Sequence, residues 1–436
     1  MRTTLPVVCA LATLAAVSLF GQTDPGPRSG PPLSGQALNA ISGSELAIFQ
    51  QSQDAFNEVE DVAKGLGPRF NMDSCGGCHA QPTIGGSSPA INPQIAVATK
   101  NGAMNTIPPF IRADGPIRVV RFRRGPDGRP DGGVHDLFVI TGRGDAPSTC
   151  QIQQPDFGSP QNPGPPQNPG GPPQNLTFRI PTPVFGLGLV ESIPDATLIA
   201  NLTANADRKR QLDIQGRFNT SGNDGTITRF GWKAQNKSLT VFAGEAYNVE
   251  IGVSNEVFPQ EREGDPSCAS TTAPEDHVDL ESGGYSDTMR FALFMRYLAP
   301  PTPGQSNPSI ERGRAGFDAV GCTLCHTPTL TNGKSYSAAL SNQDVNLYSD
   351  LAIHRMGRDL DDGITQGQAQ GQDWRTALLW GLGDRIFFLH DGRTKDLLDA
   401  IRIHDSPGSE AHNVIMNFGA LPDDQKQDIV NFLRSL

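Results

Sequence analysis

The chain has 436 residues and a formal net charge of -11, which argues against nucleic acid or an anionic membrane surface as partner. Its length predicts two or three domains with ample chain for cores. With 48 glycines, 36 prolines and only 7% aromatic residues, long loops should surround modest helical cores.

Arg2 is followed by an apolar run from Leu5 to Phe20. That run is short for a bilayer span and has the layout of a secretory signal, removed near residue 22. Cys9 lies inside the run, not at its end where a lipid-anchored cysteine would stand. No second run is long enough to span a bilayer, so no stable membrane insertion is expected, and the location predicted is the bacterial periplasm or the exterior. Next, "SGSELAIFQQSQDAFNEVEDVAKGLGP" reads as an amphipathic helix. Leu46, Phe49, Ala55, Phe56 and Val59 recur near helical spacing, with Ser44 as N-cap and Gly65 as stop. It leads into "SCGGCH", with Cys75, Cys78 and His79. "IRVVRFRRG", "HDLFVITGRG" and "TITRFGWKA" read as strands bounded by glycine. The Pro/Gly/Asn-rich stretch 155–174 cannot bury a core and reads as an exposed loop. A second helix, "SIERGRAGFDAV", is capped by Ser309 and turns Ala315, Phe317 and Val320 inward; Cys322, Cys325 and His326 follow. Pro422 opens a last helix with Ile429, Val430, Phe432 and Leu433 on its apolar face.

Two short segments repeat. Arg179 precedes Phe185–Gly188 and Arg375 precedes Trp380–Gly383, so an aromatic-Gly-Leu-Gly element trails each cysteine motif. Two related halves are expected. Of the seven cysteines, Cys9 and the two motifs account for five, and export favours a disulfide between the remaining Cys150 and Cys268.

Cys-x-x-Cys-His lets two thiols form thioethers with the vinyl groups of one haem while the histidine ligates iron. Two copies predict two covalent c-type haems on Cys75, Cys78 and His79 and on Cys322, Cys325 and His326. A filled sixth position makes a haem an electron relay, whereas an open one lets a small molecule react. Candidates for that position are His135, His277, His354, His390, His404, His412, Met72, Met356 and Met416.

From "GLGPRFNMDSCGGCHAQPTIGG" through "TRFGWKAQ", "HRMGRDL", "DWRTALLWGLG" and "FLHDGRTKDLLDAIRIH", the mature chain resembles the di-haem oxidoreductase family. That family is a distant relative of the bacterial di-haem cytochrome c peroxidases. Leu378 stands where the resemblance leads one to expect proline. The expected architecture is mainly α: two cytochrome-c-like haem domains, 23–300 with a large loop/β insertion that includes 155–174, and 301–436. The resemblance implies His404 as the sixth ligand opposite His326, with Met416 the alternative. It also implies an acidic residue beside an open N-terminal haem, for which Glu191 in "GLGLVES" is available. His135, His354 or Met356 are resting ligands for that iron if it is not open. His390 and Arg393 are expected to support either haem, and Trp232, Trp374 or Trp380 to lie between the haems or in the core. The acidic "GRDLDDG" is either a calcium site, as in some relatives, or a solvated loop. The implied function is peroxide reduction at the N-terminal haem, with electrons from a small cytochrome or cupredoxin relayed through the C-terminal haem. The alternatives are a non-catalytic di-haem electron carrier and an oxidase of an organic or protein substrate.

Overall fold

The computed structural model describes residues 21–125, 128–130, 136–150, 152, 175–260, 266–268, 272–279 and 284–436. Residues 1–20 of the expected leader (1–22), His135 and the loop over residues 155–174 lie outside them. The fold is mixed, 35% helical and 12% strand, where a mainly α chain was expected. Glycine and proline interrupt periodic segments too often for long elements to dominate.

Two helix pairs frame the structure. In the first, Gly43–Asn57 packs on Asp287–Tyr297. Phe49 and Phe56 meet Phe294 there at ring distances of 5.6 and 4.6 Å. In the second, Pro308–Val320 packs on Asp423–Ser435, and Phe317 meets Phe432 at 5.5 Å. Such apolar burial is the main stabilising term, at roughly 25 cal/mol per Å². The first helix begins at Ser42 rather than Ser44. Ser42 accepts from the backbone N–H of Glu45, and the Glu45 carboxylate accepts from that of Ser42. It also stops at Asn57, well before Gly65, so Leu46 and Val59 stay exposed while Phe49, Ala55 and Phe56 are buried. In the second pair Asn307, not Ser309, caps the helix, because Pro308 suits its first turn. Ala315 faces solvent, while Phe317 and Val320 are buried as expected.

Strands are short. Val119–Phe122 runs antiparallel to both Asp136–Leu137 and Leu176–Arg179. Two-residue strands pair Arg69–Phe70 with Ile140–Thr141, and Ile353–Arg355 pairs with Asp373–Arg375. "TITRFGWKA" forms only isolated bridges, Thr220 with Ile227 and Phe230 with Asn236. The largest apolar cluster joins the first helix pair to this region and takes in Leu340, Leu347 and Trp380 from beyond residue 300; a second surrounds the terminal helix. Cys150 and Cys268 are bonded at 2.09 Å. No helix among the described residues is long and apolar enough to cross a membrane.

The repeated glycines have matching structural uses. Gly186 and Gly381 both adopt left-handed φ, +66° and +73°, and each starts a short helix. A Cβ on Gly188 would strike the carbonyl of Arg296, and one on Gly383 would strike that of Arg434. Arg296 and Arg434 stand near the ends of the second helix of each pair. The halves thus share one frame: helix, cysteine motif, Gly-Leu-Gly turn, closing helix.

Candidate functional site

Each cysteine motif is placed by the helix before it. Cys75–Cys78 makes a single helical turn whose N-cap, Ser74, accepts from the N–H of Gly77 at 3.1 Å. Three-residue spacing on such a turn sets both sulfurs on one side. A Cβ on Gly76 would strike the Asn57 side chain, so glycine lets the helix end approach the motif. Phe56 packs on the ring of His79 at 5.9 Å, and Phe317 on that of His326 at 6.2 Å. All four motif cysteines are free of disulfides.

The two motifs open into two cavities. One, of about 100 Å³, is lined by Cys75, Cys78, His79, Phe291, Gln235 and Glu245. The other, about 220 Å³, is lined by Cys322, Cys325, His326, His404, Arg375 and Arg385. Trp232 borders both.

The histidine rings are oriented through the backbone. His79 donates Nδ1–H to the Gly86 carbonyl at 2.9 Å, His326 to Tyr348 at 3.0 Å and His404 to Ala400 at 2.7 Å. Nδ1 donation fixes a tautomer that leaves Nε2 as the ligating nitrogen. Burial pushes the His79 imidazolium down to about 4, against a weaker upward pull from the Gly86 and Thr182 carbonyls. Burial, with His404 adding to it, takes His326 to about 4, and burial also lowers His404 against the pull of the Ala400 carbonyl. At neutral pH these rings are neutral and able to bind metal.

Other sequence candidates fall elsewhere. His354 and Met356 line the C-terminal cavity, not the N-terminal one. Both nitrogens of His354 are used, Nδ1 on Glu410 at 2.8 Å and Nε2 on Asp350 at 3.0 Å, so its grouping with Cys325 and Asp350 offers no open metal ligand. Met416 is 56% exposed, His277 is exposed and His412 pairs with Asp405; none of the three lines either cavity. Met72 is buried beside Gly77, off both cavity walls. Trp380 packs in the core against Gly186. Arg393 donates to Asp391 and to the carbonyl of Asp359.

Glu191 is turned to a structural task. Its carboxylate takes two bonds from Arg296, at 2.7 and 3.2 Å, and one from the N–H of Leu239, and it does not line the N-terminal cavity. Glu245 does, and it accepts from Gln235 at 3.3 Å and from Asn236. A detectable signal existed: Glu245 is the sole charge in the helix "LTVFAGEA".

Between the cavities lies a buried charge cluster. Asp362, from the acidic stretch, pairs with Lys233 at 3.1 Å and Arg179 at 2.8 Å. Burial pushes the Asp362 carboxyl up, but Lys233 and Arg179 outweigh it and hold it at about 2. Lys233 is pulled down to about 8, because burial outweighs a carboxylate it shares with Arg179. Lys233 lies 4.0 Å from the centre of the Trp374 ring, and His390 stacks on the same tryptophan at 3.9 Å. Trp374 and Trp232 meet edge to face at 6.3 Å. The acidic stretch is thus neither solvated throughout nor short of cations, and its Asp362 is already compensated by the chain.

The family model for the di-haem oxidoreductases, described as "putative peroxidase", matches residues 174–436. The chain belongs to the di-haem oxidoreductase family. Its two cavities fit the group that this family name implies: each combines a free cysteine pair, a neutral histidine with Nε2 available and a largely apolar wall. No curated protein matches this oxidoreductase. Among solved structures, it is similar to a Kuenenia stuttgartiensis hydrazine synthase, with 13% identity, TM-score 0.36 and all of both chains covered. The diheme peroxidase BthA from Burkholderia thailandensis has 16% identity and TM-score 0.30, over 48% of this chain and 65% of that one. A MauG-like protein associated with microbial copper homeostasis has 15% identity and TM-score 0.31, over 58% of this chain and 89% of that one. At TM-scores of this size none of them bears on mechanism.

Proposed function

We propose that this di-haem oxidoreductase is an exported enzyme that reduces peroxide at its N-terminal cavity and admits electrons through its C-terminal one. The observation that carries the reading is the difference between the cavities. Neutral His326, His404 and His390 line the C-terminal one, whereas His79 is the one histidine among the described residues lining the N-terminal one, together with Gln235 and Glu245. A second histidine available to a bound haem would suit a relay, and a cavity offering one histidine would suit chemistry.

Cys75, Cys78 and His79 would hold one haem, and Cys322, Cys325, His326 and His404 the other, each within its own part of the chain, 23–300 and 301–436. Bound haem supplies the redox chemistry of O–O cleavage. The chain supplies proton handling, orientation and access. Glu245 accepts a proton from peroxide and returns it to the departing oxygen, completing H2O2 + 2 H+ + 2 e- → 2 H2O. Gln235 and Asn236, both bonded to Glu245, fix the direction of its carboxylate. This role moves from Glu191 to Glu245, because Arg296 occupies the Glu191 carboxylate. Trp232 borders both cavities, and its indole N–H is anchored on the Ile180 carbonyl at 3.0 Å, which fits a stepping point for the electron. The donor would be a small cytochrome or cupredoxin. Calcium has no part in the proposal, given the pairing of Asp362.

The test is spectroscopic. Purified enzyme, brought to the half-reduced state, should keep one low-spin haem and show one high-spin haem whose spectrum changes on adding peroxide. Two haems that stay low-spin and ignore peroxide would leave an electron carrier.

A further inference from the structure

The C-terminal cavity holds two guanidinium groups that no acid among the described residues neutralises. Arg375 is buried and uses Nε on the Gly231 carbonyl at 3.0 Å and Nη1 on the Thr376 carbonyl at 3.3 Å, with no carboxylate. Arg385 lines the same cavity, and its side chain makes no hydrogen bond or ion pair with any described residue. Three other buried arginines have acids: Arg179 has Asp362, Arg229 has Asp195 and Arg434 has Asp24.

The acids nearest in sequence or wall position are committed. Asp384 takes both donors of Arg28, and Glu410 serves His354, Gln215 and Gly216. Burial pushes both guanidiniums down to about 10, and Arg385 adds to the effect on Arg375, so both remain charged at neutral pH. Two like charges facing an apolar cavity are costly unless an anion enters with the ligand. Arginine is also the side chain whose planar fork best matches a carboxylate. Arg179, which lines the N-terminal cavity, is by contrast held by Asp362 and Gln366.

We propose that Arg375 and Arg385 form the carboxylate-binding edge of the C-terminal cavity and receive the propionates of the haem attached through Cys322 and Cys325. The inference rests on the haem reading above. It assigns a direction to the group: vinyl edge toward the cysteines, propionate edge toward the two arginines. It also assigns an effect. A fixed cation offsets the propionate charge, favours the reduced iron and keeps the propionate ionised across neutral pH.

The test uses the haem-loaded full chain and its Arg385→Gln, Arg375→Gln and Arg385→Lys variants. The Arg385 side chain bonds none of the described residues, so its replacement leaves no partner among them unsatisfied. Potentiometric titration of each haem between pH 6 and 8 is combined with the propionate-bending band in resonance Raman. Arg385→Gln should shift that band and lower the reduction equilibrium constant of the low-spin haem about tenfold, about 59 mV for one electron. Its potential should then vary with pH, with the other haem unchanged. Arg385→Lys should restore most of the potential but not the band. If both haems are present and neither glutamine variant moves the band or the potential, or only the high-spin haem responds, the assignment is wrong. A wild-type chain carrying no covalent haem would instead refute the haem reading itself.

Discussion

Replacing Asp362 with asparagine keeps the shape of the side chain and removes the one carboxylate shared by Lys233 and Arg179. The side chains of Lys233 and Asp362 are 0% exposed and that of Arg179 only 7%, so water cannot substitute for the lost charge. Holding the carboxyl at about 2, against a usual 3.8, corresponds to about 2 kcal/mol of preference for its ionised form. Adding the cost of leaving buried cations uncompensated brings the expected loss to about 3–5 kcal/mol at pH 7. The sign with pH follows from each group. Asp362 has a folded value below its unfolded one, so its contribution is complete above pH 4 and fades as pH falls through about 2. Lys233 has a folded value of about 8 against 10.5 unfolded, so raising the pH through that window favours the folded state. Without Asp362 its folded value drops further, and Asp362→Asn should recover about 1 kcal/mol relative to wild type between pH 7 and 9.5. Urea unfolding of both proteins, followed by far-ultraviolet circular dichroism at the two pH values, measures this. A loss under 1 kcal/mol at pH 7, or a deficit that does not narrow at pH 9.5, would refute the buried-cluster account.

Glu245→Gln should slow peroxide turnover about 10²–10⁴-fold in stopped-flow assays with haem content unchanged. Glu191→Gln should instead lower stability by about 1–3 kcal/mol through its loss at Arg296, and equal turnover defects in the two variants would remove Glu245 from its role. His404→Ala should convert the low-spin C-terminal haem to high spin, and an unchanged spectrum would take His404 off the iron. Replacing Cys150 and Cys268 with serine opens a link between residues 118 apart, for which chain entropy predicts a loss of about 5 kcal/mol as an upper figure. A calorimetric change under 1 kcal/mol would mean that the bond constrains little of the unfolded chain.

What could be read without coordinates was local chemistry. Cys-x-x-Cys-His carries its meaning in its spacing, and the pairing of Cys150 with Cys268 followed from counting. The Ser42–Glu45 capping box was also present in the sequence, but Ser44 looked equivalent until the reciprocal bonds distinguished them. Assignments failed where a side chain's fate depended on a partner far along the chain. Glu191 occupies the place in the repeat where a functional acid was expected, yet Arg296, 105 residues away, claims it. Asp362 looked like part of a solvated or calcium-binding loop, and Arg179, 183 residues away, makes it the centre of a buried cluster.

The same contrast explains how a repeated frame yields unequal sites. Gly188 and Gly383 press against the carbonyls of Arg296 and Arg434, so both halves must keep a bare backbone there, and the aromatic-Gly-Leu-Gly signature survives in each. Nothing in that contact specifies what faces the histidine across the cavity. In the C-terminal half the segment after Gly383 reaches His404, whose Nδ1 is tied to Ala400. In the N-terminal half the corresponding acid is spent on Arg296, and the helix 239–246 brings Glu245 to the cavity instead. Packing therefore preserves the frame, while the segments that follow it bring His404 to one cavity and Glu245 to the other.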